Sequence, residues 1–164
     1  MHEIRAGIIT ISDKGSRGER EDTSSLEIRT LLEGASIIVS DYDMIPDEKV
    51  MITDKLIEYA DEKKLDLILT TGGTGVSPRD VTPDATLGVI EKEVPGIAEF
   101  MRAKSATLTP HAIISRAVAG IRKNSLIINL PGSPRGAREN LSFILPALKH
   151  AIEKINGDQS ECAS

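Results

Sequence analysis

Apolar positions along the chain fall into short continuous runs, set between polar glycine-containing stretches and segments with a helical repeat. Ile4 to Ser12 begins with mild alternation and passes into Gly7-Ile8-Ile9-Thr10-Ile11, the pattern of a buried strand. A charged loop, Asp13 to Asp22, follows. Ser24 with Glu27 three residues later has the form of a capping box, opening a helix that ends near Gly34. Ser36 to Ile45 reads as the second strand and Pro46-Asp47 as a turn. Glu48 to Lys63 reads as a helix with an apolar stripe of Ile52, Leu56 and Tyr59/Ala60. Leu65 to Thr71 is the third strand and runs straight into Gly72-Gly73-Thr74-Gly75. Beyond a turn at Pro78 to Pro83, helices are predicted over Asp84 to Glu93, Gly96 to Ser105 and Pro110 to Ala119. The last of these has Thr109 as its cap and Pro110 in its first position. Ser125 to Leu130 is the fourth strand, ending at Pro131-Gly132-Ser133-Pro134. A final helix from Ala137 to Ile155 presents Leu141, Ile144/Leu145, Leu148, Ile152 and Ile155 on one face and stops at Asn156-Gly157.

Strands alternate with helices, and several strands are almost wholly apolar, as they must be when both faces of a sheet are covered. The expected class is therefore α/β, with a mainly parallel central sheet between helical layers. No repeat or linker divides the chain, so one domain is expected over 1–155, with 156–164 a flexible tail. The two glycine-containing loops, after Leu69 and after Leu130, both follow strand C-termini, the edge at which open α/β sheets bind ligands.

Composition narrows the choice. Of 164 residues, 40% are hydrophobic and 27% charged, which argues against general disorder. No apolar run is long enough to span a membrane, and a soluble, cytoplasmic protein is expected. Cys162 is the only cysteine, and His2, His111 and His150 lack ligand spacing, so neither an internal disulfide nor structural zinc is expected. The net charge of −5 conceals an asymmetry: Arg102 to Arg138 holds seven basic and no acidic residues, leaving 13 basic against 25 acidic elsewhere. Such a segment is either a solvated face or a source of positive potential for an anionic small ligand. With two Tyr, two Phe and no Trp, stacking platforms are scarce, and nucleic acid is not expected as a partner.

Closely spaced glycines let backbone N–H groups approach phosphate oxygens. Thr70 to Gly75 is accordingly either a phosphate cradle or a tight turn, and it carries neither the P-loop lysine nor the dinucleotide fingerprint. Pro131 to Pro134 is a rigid turn before a helix or a second amide nest bearing the Ser133 hydroxyl. Asp80 has the chemistry to hold Mg²⁺ beside a phosphate. Asp47 is either a helix N-cap or, if the second and third strands are neighbours, a second carboxylate at the same sheet edge. That pair would suit cation-assisted phosphoryl or nucleotidyl transfer. Asp13 ends the first strand. Arg17, Arg20, Glu21 and Asp22 read as solvated loop residues within reach of a ligand. Arg102 and Arg116 have guanidinium forks that match phosphate, or that serve in salt bridges.

Taken together, Ile11-Ser12-Asp13, Arg17 to Asp22, Ile45-Pro46-Asp47, Thr70 to Gly75 and Arg79 to Thr86 closely resemble one family. Pro95-Gly96, Met101-Arg102, Thr109-Pro110, Ser115-Arg116-Ala117, Gly120-Ile121-Arg122 and Asn129 to Pro134 extend the match in the same order, from Ile4 to Ile155. The family is the MogA/MoaB/gephyrin G-domain group of molybdenum-cofactor biosynthesis. The resemblance implies a three-layer αβα sandwich of the molybdopterin-binding-domain type, a homotrimer or a hexamer, and hand-over to a molybdenum-insertion protein. Active members are molybdopterin adenylyltransferases. They move AMP from ATP to the terminal phosphate of molybdopterin and release pyrophosphate with the help of Mg²⁺, for which Mn²⁺ is an alternative, in a molybdenum or tungsten pathway. The same resemblance implies Asp47 and Asp80 as catalytic and metal-holding residues. It implies substrate contacts from Ser12, Asp13, Gly72, Gly73, Thr74, Gly75, Ser115, Arg116, Pro131, Gly132 and Ser133. Ser24-Ser25 departs from the family's common serine-glycine pair, and the compact C-terminal end resembles MoaB-type or plant and animal G-domain relatives, some of the MoaB type being noncatalytic. A noncatalytic MoaB-like molybdopterin binder or scaffold is therefore the alternative.

Overall fold

The computed structural model describes residues 2–159. Six strands form one sheet: β1 (Arg5–Ile11), β2 (Ile38–Ile45), β3 (Leu67–Thr71), β4 (Lys92–Glu93), β5 (Ala119–Arg122) and β6 (Ser125–Leu130), in the order β2-β1-β3-β6-β5-β4. The first four in that order run parallel, and β5 and β4 add an antiparallel edge. The helices are the single turn α1 (Asp13–Ser16), α2 (Thr23–Gly34), α3 (Lys49–Ile57), α4 (Thr82–Val89), α5 (Pro95–Ala106) and α6 (Pro134–Ile155). A π-helical turn at Glu58–Glu62 prolongs α3, and a 3-10 turn spans Pro110–Ile114.

The near-continuous apolar strands are explained by burial on both faces. Ile8, Leu67, Leu69, Leu126 and Ile128 pack on one side with Ile28, Leu32, Leu141, Ile144 and Leu148 of α2 and α6. Their strand neighbours Ile9, Ile68 and Ile127 pack on the other with Ile52 and Leu56 of α3 and with Tyr59 and Ala85. Adjacent residues thus serve opposite layers, as the two-residue period of a strand requires. The result is the expected αβα sandwich.

Register sets the functional edge. Ile11 lies beside Ile45, Thr10 beside Thr71, and Thr71 beside Leu130, so β1, β2, β3 and β6 all finish at one edge. The loops that begin Ser12-Asp13, Pro46-Asp47, Gly72-Gly73 and Pro131-Gly132 emerge there together.

Four local expectations are corrected. The predicted helix over Pro110 to Ala119 ends at Ile114 as a 3-10 turn, and Ala119 onward forms β5, which returns to β6 through the two-residue connection Lys123-Asn124. The predicted helix to Glu93 ends at Val89, because Ile90 turns extended and Glu91 N–H donates to the Ile121 carbonyl. At the start of α2 the cap is Asp22, whose carboxylate accepts from Ser25 N–H. The Ser24 hydroxyl instead donates to the Gly132 carbonyl at 2.7 Å. At the start of α3 the cap position is Glu48, with no side-chain cap bond, which leaves the Asp47 carboxylate free for other partners. At the far end Asn156 closes α6 and donates to the Ile152 carbonyl, while residues 160–164 of the expected tail, Cys162 among them, lie outside the described residues. No described helix is long and apolar enough to cross a membrane.

Candidate active site

Two loops build the floor of the site by lying against each other. Gly72 and Gly73 both have positive φ, 107° and 67°, and both lack room for a side chain. A Cβ on Gly72 would fall 2.2 Å from the Ile11 carbonyl oxygen, and one on Gly73 would fall 2.4 Å from Thr82 Oγ1 and 3.0 Å from Asp47 Oδ1. Only glycine takes this conformation at this separation without strain. Gly72 N–H donates to the Leu130 carbonyl, and the Thr71 hydroxyl to the Pro131 carbonyl at 2.6 Å. From the other side the Thr82 hydroxyl donates to the Gly72 carbonyl at 3.0 Å. Beneath them the Asn129 amide donates to both Thr70 and Thr86 hydroxyls in the fully buried core.

Above this floor opens a cleft of about 650 Å³. Ser12, Asp47, Gly72, Gly73, Asp80, Gly132 and Ser133 line it, seven of the positions that the resemblance singles out. Ser133 is the N-cap of α6, its Oγ accepting from Gly136 N–H at 3.0 Å, so the positive end of a 22-residue helix faces the space. Ser12 caps α1 in the same manner through Gly15 N–H.

The carboxylates differ in their surroundings. Asp47 Oδ2 accepts from Asp13 N–H at 2.9 Å, and Asp13 Oδ1 accepts from Asp47 N–H at 3.0 Å, a reciprocal pair. Burial raises the Asp47 carboxyl above its ordinary range, and the neighbouring charges of Asp13 and Asp80 add to this, against the hydrogen bond from Asp13 N–H. Asp13 is held below its ordinary range, chiefly by the Arg79 guanidinium and then by Asp47 N–H. Asp80 Oδ2 accepts from Ser77 N–H at 3.0 Å and stands beside Gly75. Asp13 does not line the cleft, because its oxygens are taken up by Arg79 and Asp47.

Other expected positions lie to one side. Arg116 runs behind the glycine loop: it donates to the Gly75 carbonyl at 2.9 Å, to the Asp80 carbonyl at 2.7 Å and to the Asp84 carboxylate, while its own main-chain N–H donates to the Thr74 carbonyl. Ser115 and Pro131 line a separate cavity of about 50 Å³ under α5, beside Arg102, which donates to the Ala117 carbonyl. The basic segment therefore gives the cleft no free positive face. Arg122 and Lys123 pair with Asp61, Arg135 with Glu139 and Arg138 with Glu27. Among the described residues that line the cleft the one cation is Arg20, and the carboxylates are Glu21, Asp22, Asp47 and Asp80.

Residue-by-residue reading missed part of the wall. Asp22 is not merely a solvated loop residue: burial pushes its carboxyl up, but the Tyr42 hydroxyl and Ser25 N–H outweigh this and hold it low. Thr10 is 7% exposed and lines the same cleft, its hydroxyl close enough to Asp22 to help hold that carboxyl low. The sequence signal for both is weak, since a threonine inside an apolar strand and an aspartate at a helix start each have ordinary explanations.

Residues 7–150 match the family described as "Probable molybdopterin binding domain". The chain belongs to that family. It is 42% identical over 160 residues to the molybdopterin adenylyltransferase of Helicobacter pylori strain J99, covering 96% of this chain and 91% of that one. It is 43% identical over 149 residues to the molybdopterin adenylyltransferase of Escherichia coli K12, covering 90% and 76%. Among solved structures, the molybdopterin biosynthesis enzyme MoaB of Thermus thermophilus superposes with a TM-score of 0.90 at 53% identity, covering 94% of this chain and 98% of that one.

Proposed function

We propose that this member of the molybdopterin-binding family is a molybdopterin adenylyltransferase. It transfers AMP from ATP to the terminal phosphate of molybdopterin and releases pyrophosphate. The observation that carries this reading is the cleft at the C-terminal sheet edge, where Asp47 and Asp80 stand beside a glycine loop and the N-terminus of α6. The relatives named as adenylyltransferases over most of their length support it.

In the reaction an oxygen of the pterin phosphate attacks the α-phosphorus of ATP. A P–O bond forms there, the bond to the β-phosphate bridging oxygen breaks, and the electron pair leaves with pyrophosphate. The attacking phosphate is already ionised at neutral pH, so no side chain has to remove a proton. What the chain must supply is alignment of two anions. The backbone of Gly73 and the Gly132-Ser133 turn hold phosphate oxygens, with Ser12 at the rim; Thr74 and Gly75 lie behind the cleft wall, where Arg116 fixes the glycine loop.

The donor set fits Mg²⁺ carried in with the nucleotide. The cleft is lined by four carboxylates and one arginine, a surplus of negative charge that a polyanionic substrate meets only with a cation between them. Mg²⁺ characteristically takes one or two carboxylates plus substrate phosphates, and the described residues contain no cluster of three or more acidic, His or Cys side chains that would form a dedicated cage. Asp47 and Asp80 would hold it. When bound, Mg²⁺ or Mn²⁺ supplies charge neutralisation of the triphosphate and of the departing pyrophosphate. The proposal includes a homotrimeric assembly, with a hexamer as the alternative, a cytoplasmic location, and delivery of the product to a molybdenum-insertion protein.

The test is an adenylylation assay with molybdopterin, ATP and Mg²⁺, run on wild type and Asp80→Asn with thermal unfolding of both. Product from wild type and roughly 100-fold less from the variant at equal stability is expected. Folded wild-type protein that binds molybdopterin but makes no product with Mg²⁺ or Mn²⁺ would make the noncatalytic binder or scaffold the correct reading.

A further inference from the structure

Arg79 sits on the loop between the glycine run and α4, and its side chain is 55% exposed. Its Nε donates to Asp13 Oδ2 at 3.0 Å, and its Nη2 to Asp13 Oδ1 at 2.9 Å, a two-pronged grip on one carboxylate. Nη2 also reaches Glu48 Oε1 at 2.9 Å. Asp13 Oδ1, held in this way, is the same atom that accepts from Asp47 N–H, and Asp13 N–H is the donor to Asp47 Oδ2. Three segments that are remote in sequence, the ends of β1 and β2 and the loop after β3, are therefore tied at one point immediately beside the cleft.

The value of this arrangement for folding is modest: the Arg79 side chain is more than half exposed, and exposed pairs contribute little to stability, a two-pronged pair standing at the upper end of that small range. Orientation is another matter. Asp47 is half-buried beside Asp80 and Asp13, so repulsion favours turning its carboxylate away. The hydrogen bond from the main-chain N–H of Asp13 opposes this turn. The direction of that N–H depends on where the start of α1 is held, and the guanidinium fork holds it.

We propose that Arg79 is a positioning residue for nucleotidyl transfer, fixing Asp47 beside the glycine loop through Asp13. Asp13 is then the intermediate of this relay and not a ligand contact. The inference deepens the adenylyltransferase reading and rests on it for its kinetic readout. Arg79 touches neither substrate nor cation in this scheme. Its loss misplaces a carboxylate while leaving nucleotide and pterin affinity to the loops.

The test compares Arg79→Met, Arg79→Lys, Asp13→Asn, the double variant Arg79→Met/Asp13→Asn, and Glu48→Gln. Misplacement by about 1 Å is worth up to roughly 100-fold in rate. The expected result is a fall in kcat of roughly 10- to 100-fold for Arg79→Met with KM for ATP and molybdopterin little changed. Arg79→Lys recovers part of the loss, since it restores charge without the fork. The double variant is no slower than the slower single variant, because both act on one relay. Glu48→Gln keeps an amide oxygen that accepts from Nη2 and leaves the fork on Asp13 intact, so it keeps wild-type kcat. A wild-type kcat in Arg79→Met, a loss confined to KM, or additive single-variant effects would each overturn the proposal. A crystal structure of Arg79→Met gives a readout independent of turnover. Asp47 displaced from the Asp13 N–H supports the relay, and an unmoved Asp47 overturns it, even where wild-type protein forms no product and the adenylyltransferase reading itself has failed.

Discussion

The two ends of the sheet use similar residues to opposite effect. On the parallel side, β2, β1, β3 and β6 finish in register, and the loops beyond them open a cleft of about 650 Å³ whose wall carries carboxylates and glycines. On the antiparallel side, β5 returns to β6 through two residues, the neighbouring cavity is about 50 Å³, and the arginines are spent on carbonyls and carboxylates. The difference follows from connectivity. Parallel strands must cross over outside the sheet, so every such strand releases its chain at the same edge, where the loop is free to be shaped for a ligand. A hairpin consumes its connection in turning. Positive charge in the sequence between Arg102 and Arg138 therefore belongs mainly to scaffolding, and the site is made where negative side chains and backbone amides meet.

A graded set of substitutions sharpens that contrast. The largest effect is expected on the parallel side: Asp47→Asn should lower kcat for AMP transfer by roughly 100-fold while the midpoint of thermal unfolding moves by about 2 °C or less. A wild-type rate would remove Asp47 from the machinery. Next comes Gly73→Ala, which places a methyl group against Thr82 and Asp47 at positive φ; denaturant unfolding should report a loss of about 1–3 kcal/mol together with lost turnover. Gly88 of α4 is the control: it faces open space in a helix, and Gly88→Ala should stabilise by about 0.5–1 kcal/mol. On the antiparallel side, Arg116→Met should slow turnover by roughly tenfold through a loosened Gly75–Asp80 segment, with KM for molybdopterin unchanged. A rise in KM alone would move Arg116 from support to contact. The smallest effect is far from both loops. Tyr59 is fully buried, and burial followed by its hydrogen bond to Asp43 raises its hydroxyl pKa above the ordinary value. Stability from the neutral phenol is therefore complete below the unfolded value near 10 and is lost as pH rises beyond it. Tyr59→Phe should cost about 1 kcal/mol at neutral pH and flatten the alkaline decline seen by urea unfolding between about pH 9.5 and 11.

Much of this architecture can be read from the apolar pattern, because two-sided burial leaves strands such as Ile8 to Ile11 and Leu126 to Leu130 almost without polar residues. The antiparallel edge could not be read in the same way. Ala119–Arg122 is four residues long and Lys92–Glu93 only two, and both are strands because β6 and then β5 offer them partners, a tertiary cause with no local signal. Of the site, the glycine loop was visible from spacing, since its positive φ values require that residue. The role of Asp47 was open, and Ser24 read as a cap, for one physical reason: each stands where a helix cap is expected. Asp47 instead bonds to Asp13, and Ser24 to the Gly132 carbonyl 108 positions away. Arg79 drew no reading of its own, because a guanidinium in a loop carries no local signal of the carboxylate it grips.

The central claim is that the cleft joins the AMP portion of ATP to the pterin phosphate. It is tested most directly by following label from ATP carrying radioactive phosphorus at either the α or the γ position during a single turnover with molybdopterin and Mg²⁺. The account predicts that α-label enters the pterin product in equal amount to pyrophosphate released, while γ-label appears only in pyrophosphate. Label from the γ position in the pterin, or α-label left wholly in nucleotide by folded protein that has bound molybdopterin, would contradict it.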